Sequence, residues 1–193
     1  MMQWKNTATR FGAIAKFFHW TSAAAFIGAY IVVYYLIWFV DEDSSQFLPI
    51  LNIHWVLGVL VGLLVLPRLV WRFMSVQPDD VPGSNAEHLL AHFAHWGLYA
   101  LLIILPLTGY LGTSLGTDFG IFTIPTFKDT ALFAWMMDNY SITWKEFEEP
   151  MDIVHHFLGK WVAWGVVLLH VVAAFYHHWV RRDDVLTRML PEK

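Results

Sequence analysis

The sequence predicts an all-α fold, an integral membrane four-helix bundle of up-down topology with both termini in the cytoplasm. Three observations support this prediction. Of the 193 residues, 57% are hydrophobic, against about 45 to 50% in an ordinary globular chain. Four apolar runs are long enough to cross a bilayer, and most basic residues collect at one set of their ends. We therefore expect a single membrane domain over residues 1–193.

The four apolar runs cover about residues 17–40, 50–71, 89–112 and 153–180. About 20 mostly apolar residues cross the roughly 30 Å hydrocarbon core of a bilayer, so each run predicts one membrane-spanning helix. The connection over residues 113–152 is much longer than the other two, and we expect it to form an outer loop. Loops of this length in compact proteins are usually lids or binding elements.

The basic residues near the span ends predict the orientation. Lys and Arg are abundant in the N-terminal arm, at the end of span two and in the tail, and scarce on the opposite face. The first group is Lys5, Arg10, Lys16, Arg68, Arg72, Arg181, Arg182, Arg188 and Lys193; the second is Lys128, Lys145 and Lys160. By the positive-inside rule both termini are cytoplasmic.

Histidine is the residue type that carries chemistry here. The chain has ten histidines and no cysteine, so thiolate-held Fe–S clusters and covalently attached c-type haem are excluded. On the last span, His156 and His170 are 14 residues apart, which is about 1400° of helical rotation and about 21 Å of rise. One helix then presents two imidazoles on nearly the same face. His155 lies about 60° off that face and is the alternative to His156.

Each of these histidines has a partner at the same predicted depth. His19 begins span one on the cytoplasmic side and matches His170, whereas His54 begins span two on the outer side and matches His156. Neutral imidazole is a good iron ligand, so the pairs predict two b-type haems with two histidine ligands each. The residues one turn beyond these ligands are Ala23, Gly58, Lys160 and Ala174. All but Lys160 are small, which leaves room for a flat macrocycle beside the helix. Interfacial histidines with one side in water are the simpler alternative.

Two basic residues are candidates for haem propionate contacts. Arg68 shares the face of His54 about 21 Å deeper, and could bind a propionate, bind a quinone carbonyl or anchor the span at the interface. Lys160 either meets an outer propionate or extends its ammonium towards water. His88, His92 and His95 form a stripe that suits a pocket lining, a proton relay or a metal site.

Four segments give the chain a resemblance to the prokaryotic cytochrome b561 family. They are "RFGAIAKFFHW", "HWVLGVLVGLLVLPRLVWR", "HWGLYALLIILPLTGY" and "LLHVVAAFYHHWVRRDDVLTRMLP", and they cover all four spans. The resemblance implies two haems b, electron exchange with membrane quinone, and a bacterial inner (cytoplasmic) membrane. It assigns ligand roles to His19, His54, His156 and His170 and marks Arg68 and His95 as family positions.

The resemblance also implies an activity, superoxide:ubiquinone oxidoreductase, in which superoxide gives its electron at the outer face and ubiquinone accepts it. The alternative is a haem-bearing membrane anchor subunit that accepts electrons from a periplasmic redox protein. The partners predicted are membrane lipid, quinone, and superoxide or a periplasmic redox protein, with no nucleic acid. Because the resemblance implies quinone, we expect a quinone pocket near Arg68, His92, His95 and Tyr99. A proton or metal transporter built on the histidines is a third reading, which needs no haem.

The charge of the outer face distinguishes the two donors. The outer loops hold ten acidic residues against three lysines: Asp41, Glu42, Asp43, Asp118, Asp129, Asp138, Glu146, Glu148, Glu149 and Asp152. A negative surface slows the capture of an anion and attracts a cation. The charge alone therefore favours a cationic or protein donor over superoxide.

Overall fold

The computed structural model of the chain describes residues 3–190, which are mostly helical; Lys193 of the predicted tail lies outside them. Within this range there are four helices long and apolar enough to cross a membrane. They are α1 (Ala13–Phe39), α2 (Phe47–Met74), α3 (Asn85–Gly112) and a fourth long helix (Trp144–Arg181). The number of candidate spans agrees with the sequence prediction.

The fourth long helix is composite. It consists of α5 (Trp144–Phe157), a π turn (Leu158–Val162), α6 (Ala163–Tyr176) and a second π turn (His177–Arg181). Its start lies within the segment predicted as an outer loop, because Thr143 and Glu146 form a capping box there. Each side chain bonds the backbone N–H of the other, which satisfies donors that a helix start leaves free.

The rest of the predicted outer loop is ordered. It contains a short hairpin of β1 (Thr117–Asp118) and β2 (Thr123–Ile124), a 3-10 turn (Phe127–Asp129) and α4 (Ala131–Tyr140). The side chain of Asn52 near the start of α2 both donates to and accepts from the backbone of Asp118, at 2.8 and 2.9 Å. The hairpin is thereby fixed against α2. We call this end of the molecule, with residues 40–46 and 113–143, the loop end.

Small residues let the long helices approach each other, as is usual in membranes. Gly62 of α2 packs against Pro106 of α3, where an added Cβ would lie 3.1 Å from the proline Cβ. Gly28 of α1 faces Leu57 of α2 in the same way. Bulkier residues at these positions would separate the helices.

The bundle core lies where the fourth long helix changes from α5 to α6. Ala163 is completely buried and packs with Leu101 and Leu105 of α3. Many large apolar side chains are instead exposed on the outside of the helices, such as Ile31, Leu63 and Leu168. An exposed apolar surface of this extent suits acyl chains of lipid as its solvent.

The first and last segments of the described range meet the connection between α2 and α3 at the opposite end, which we call the terminal end (residues 3–12, 75–84 and 182–190). The Asp79 N–H donates to the Ala8 carbonyl at 2.8 Å, and Arg188 donates to the Asp79 carbonyl at 2.6 Å. Trp20 donates its indole N–H to the Met189 carbonyl at 2.8 Å. The C-terminal segment is thus tied across the terminal end.

One charged contact fixes the point at which the C-terminal segment turns back. His177 Nδ1 and Asp183 Oδ2 are 2.6 Å apart, and Arg181 pairs with Glu87 at 2.8 Å. Burial alone would raise the pKa of the Asp183 carboxyl. The hydrogen bonds from His177 and the Val185 N–H, with the charges of His177 and Arg181, outweigh burial and lower this pKa below its ordinary value.

We predict that Asp183→Asn loosens the C-terminal segment. The substitution keeps the shape of the side chain but removes the charge that His177 and Arg181 contact, at a cost of about 1 kcal/mol. Trypsin should then cleave faster at Arg188. Asp80→Asn, at an exposed carboxylate, is the control and should leave cleavage unchanged. Equal cleavage rates in both variants would contradict the prediction.

The same contact predicts a pH dependence. Because folding lowers the pKa of Asp183, its contribution to stability is fully present above the ordinary Asp value of 3.8 and is lost as the pH falls through the lower folded value. Pepsin, which is active in acid and prefers apolar sites such as Leu186, should therefore cleave the C-terminal segment faster below about pH 4 in the wild type. Asp183→Asn should show a weaker acceleration.

Candidate functional site

Two pairs of histidine rings lie inside the bundle, one towards each end. The ring centroids of His19 and His170 are 6.2 Å apart, and those of His54 and His155 are also 6.2 Å apart. The first pair joins α1 to α6 near the terminal end. The second joins α2 to α5 near the loop end.

In the His54–His155 pair, backbone carbonyls fix both rings. His54 Nδ1 lies 3.0 Å from the Ala29 carbonyl oxygen, and His155 Nδ1 lies 3.0 Å from that of Leu105. A carbonyl can only accept, so in each ring Nδ1 carries the hydrogen and Nε2 has a free lone pair. This is the arrangement found in histidines that bind metals, where the second nitrogen is held by a hydrogen bond.

The structure places His155, not His156, opposite His54. The side chain of His156 is exposed, and that of His155 packs against Gly109, where an added Cβ would be 2.9 Å from the imidazole. The sequence argument assumed a regular helix from residue 156 to residue 170. A π turn takes in one additional residue, so the 15 residues from His155 to His170 rotate only as far as 14 residues of regular helix. His155 then points about 40° away from the direction of His170, and His156 points about 140° away from it.

The His19–His170 pair has a different environment. Arg68 Nη2 lies 3.1 Å from His19 Nδ1, and the His95 ring lies 5.8 Å from the His170 ring. A guanidinium only donates, so His19 Nδ1 accepts from Arg68 and the hydrogen of the neutral ring is on Nε2. For His19 to bind a metal through Nε2, Arg68 has to release Nδ1 or the ring has to give up that hydrogen.

A cavity of about 470 Å³ lies beside this pair. It is lined mainly by apolar side chains, with His19, His95, His170, Arg68 and Tyr99 among its polar ones. Residues of the C-terminal segment close part of it, namely Val185, Leu186 and Met189. An apolar cavity with a few convergent polar groups is the usual form of a ligand site.

Of the residues predicted to form a quinone pocket, three meet at this cavity and one lies beside it. The Arg68 guanidinium is 5.2 Å from the centre of the Tyr99 ring, and His95 lines the same cavity. His92 is further out, with its ring 6.1 Å from Trp96. Arg72, which the sequence indicated only as a basic residue at the end of span two, also lines the cavity, and its guanidinium lies 5.6 Å from the centre of the Tyr99 ring. Its position one helical turn beyond Arg68 is the sequence feature that could have predicted this placement.

Lys160 lies in the π turn with its side chain exposed, and its ammonium is 5.3 Å from the centre of the Trp161 ring. A propionate contact for Lys160 stays a prediction. Between residues 3 and 190, no three or more His, Cys, Asp or Glu side chains are arranged to hold a metal ion. The stripe of His88, His92 and His95 is therefore not brought together as a metal site within that range.

The histidine pairs fit a haem iron. An imidazole nitrogen binds a first-row metal at about 2.0 Å, so two imidazoles that hold one iron would have ring centres no more than about 6.3 Å apart. Both observed separations are 6.2 Å. One turn beyond His54, an added Cβ on Gly58 would have no heavy atom within 4 Å. Space for a flat group is thus present beside this ligand.

Long apolar helices that hold paired histidines, with a lone pair free on both rings of one pair, supply what a membrane cytochrome needs to bind haem b. A family model described as prokaryotic cytochrome b561 matches residues 10–192. The chain belongs to this family. It is accordingly a multi-pass bacterial membrane protein and a b-type cytochrome, which transfers electrons with haem b.

Individual relatives cover most of the chain. It is 29% identical over 193 residues to cytochrome b561 homolog 2 of Escherichia coli (strain K12), across 98% of this chain and 95% of that protein. It is 26% identical over 193 residues to cytochrome b561 homolog 1 of the same organism, with 95% and 98% covered. It is also 30% identical over 146 residues to the probable superoxide oxidase CybB of Yersinia pestis, with 73% and 74% covered.

The contact between Gly109 and His155 predicts a selective effect of Gly109→Ala. The new methyl group would displace the imidazole from the Leu105 carbonyl, because the ring is the movable partner in a contact of 2.9 Å. We expect the helices to stay intact while the haem spectrum of the purified protein changes. The matched control is Gly97→Ala on the same helix, where an added Cβ meets nothing within 4 Å. Identical spectra for the two variants would contradict this role of Gly109.

Proposed function

We propose that the chain is a diheme b-type cytochrome of the bacterial inner membrane that passes single electrons between a donor at its outer face and the membrane ubiquinone pool. His19 and His170 would hold the cytoplasmic-side haem b, and His54 and His155 the periplasmic-side haem b. His155 replaces His156 in this proposal. The observation that carries it is that histidines from different helices meet in two pairs, one towards each end of one bundle, with the rings of each pair 6.2 Å apart.

The helix contacts support an up-down order. Along α1 and α2, His19 meets Arg68 whereas Ala29 meets His54, so the two helices run in opposite directions. Along α2 and α3, Gly62 meets Pro106 whereas Phe73 meets Trp96. The basic residues favour cytoplasmic termini. The loop end is then periplasmic.

The residues of the chain have two tasks in this function. The Ala29 and Leu105 carbonyls orient the rings of His54 and His155 through Nδ1, as the outer contacts of metal ligands do. Leu101, Leu105 and Ala163 fill the bundle between the two pairs and exclude water. When bound, each haem b supplies an iron that alternates between the ferric and ferrous states.

We place quinone at the cytoplasmic end, beside the His19–His170 pair. Quinone reduction takes up protons as well as electrons, and the cavity there presents His95 and Tyr99 together with the donor Arg68. An arginine can bind a carbonyl oxygen that gains negative charge. His92 lies close enough to the same end to exchange protons with water.

Superoxide is the donor we favour, and the support for it is the similarity to a relative named as a probable superoxide oxidase. Outer-sphere electron transfer needs only access to the haem edge, without a bond-making side chain. The loop end remains strongly acidic, however, because residues 40–46 and 113–143 hold six carboxylates and one lysine, and residues 144–152 of α5 add four carboxylates and one lysine. Electrostatic repulsion should limit the rate of superoxide capture.

The alternative is an anchor subunit for a periplasmic redox protein. The acidic loop end favours it, and so do exposed apolar side chains at this end, including Ile121, Trp135 and Tyr140. Exposed aromatic residues are frequent in protein interfaces, although they also suit the membrane surface. A partner with a basic surface would fit this end.

Haem stoichiometry tests the ligand assignment. We expect two haems b per chain in the detergent-purified wild type, quantified as the pyridine complex, and one in His155→Ala. His156→Ala is the matched control and should retain both, because the His156 side chain is exposed. Loss of haem in His156→Ala alone would contradict the assignment. A colourless wild type would reject the cytochrome proposal and favour transport.

The donor can be tested by ionic strength. Purified protein in liposomes should reduce ubiquinone when superoxide is generated outside, and superoxide dismutase should abolish the reaction. The rate should rise between about 10 and 150 mM salt, since salt screens the repulsion of an anion by the acidic face. A cationic protein donor predicts the opposite slope. No quinone reduction without a periplasmic partner would favour the anchor subunit.

A further inference from the structure

The π turn at Leu158–Val162 stands between the two histidines of the fourth long helix. Without it, the 15 residues from His155 to His170 would rotate through about 1500°, and His156 would be the better aligned residue. With one additional residue in the turn, His155 is aligned and His156 is directed about 140° away. The turn therefore decides which histidine enters the bundle.

A π turn leaves a backbone group without its usual partner. In a regular α-helix the N–H of Ala163 would donate to the carbonyl of Gly159, four residues earlier. Here it donates instead to the carbonyl of Leu158. The Gly159 carbonyl thus loses its α-helical donor inside the bundle, where an unsatisfied polar group is costly.

Tyr30 of α1 supplies the missing donor. Its hydroxyl donates to the Gly159 carbonyl at 2.7 Å, and its ring packs against the core of Leu101, Leu105 and Ala163. The contact therefore joins a different helix to the displaced backbone group of the π turn. It also stabilises the π turn over a regular helix, in which Ala163 would satisfy the same carbonyl.

We propose that Tyr30 is a positioning residue for the His54–His155 site: its hydrogen bond to Gly159 holds the π turn that directs His155 to His54. This inference rests on the proposed haem ligation by the same pair. Tyr30 contacts the backbone between the ligands and acts through it. The His19–His170 site does not depend on Tyr30 in this way, because His170 lies beyond the turn, in α6.

The test is Tyr30→Phe, which removes only the hydroxyl. We expect the Gly159 carbonyl to be left unsatisfied and haem retention at the His54–His155 site to weaken about tenfold. The electron paramagnetic resonance signal of that low-spin ferric haem should shift or broaden, while the signal of the other haem stays as in the wild type. The unchanged signal of the His19–His170 haem would also show that the variant is folded.

Tyr34→Phe is the matched control. Tyr34 lies one turn further along α1, and its hydroxyl accepts from the Trp164 indole N–H at 2.9 Å. This variant also loses one hydrogen bond between α1 and the fourth long helix, but none to the π turn backbone. We expect both haem signals to remain unchanged.

The outcomes separate the inference from the function on which it rests. Two signals in the wild type with no change in Tyr30→Phe would overturn the role of Tyr30 and leave the cytochrome proposal intact. Equal changes in Tyr30→Phe and Tyr34→Phe would also overturn it, because any bond between the two helices would then suffice. Absence of both haem signals from the wild type would reject the proposed function itself.

Discussion

A polar group in the hydrocarbon layer has to find its hydrogen-bond partner within the protein, and the architecture of this cytochrome follows from that constraint. The imidazoles of His54 and His155 meet it through the carbonyls of Ala29 and Leu105. Both bonds use Nδ1 and leave Nε2 free. The hydrogen bonds that make these rings tolerable in the bilayer also prepare them to bind a metal.

The same constraint explains why the bundle is closely packed around its histidines. A backbone carbonyl within an α-helix is reachable only if the neighbouring helix comes close. Gly109 provides this proximity next to His155, and Gly28 and Gly62 bring the other helices together. The histidine contacts therefore depend on the small residues, since larger side chains would separate the helices and each ring from its carbonyl.

The sequence was sufficient to predict the number of long helices, because each must be apolar over a length that the bilayer fixes. From the sequence we also placed His19, His170 and Arg68 at the same depth, because that inference needs only the start points of the helices. The sequence did not predict that His155, and not His156, faces His54. The rotation of the fourth long helix depends on the π turn, and the turn depends on Tyr30, a residue on another helix. Counting along one chain segment cannot detect such a contact.

The regular structure within residues 113–143 was missed for a similar reason, because Asn52 fixes the hairpin from α2.

The two ends of the bundle differ in charge, and the difference favours one direction of electron movement. Arg68 and Arg72 lie around Tyr99 near the His19–His170 pair, whereas carboxylates dominate the loop end. Positive charge stabilises an added electron and negative charge opposes it, most strongly where the local dielectric constant is low. The electrostatic gradient along the bundle therefore favours an electron at the terminal end. In the proposed orientation this is movement from a periplasmic donor towards quinone at the cytoplasmic end. The acidic surface that slows the approach of an anionic donor thus belongs to the same charge distribution that draws the electron inward.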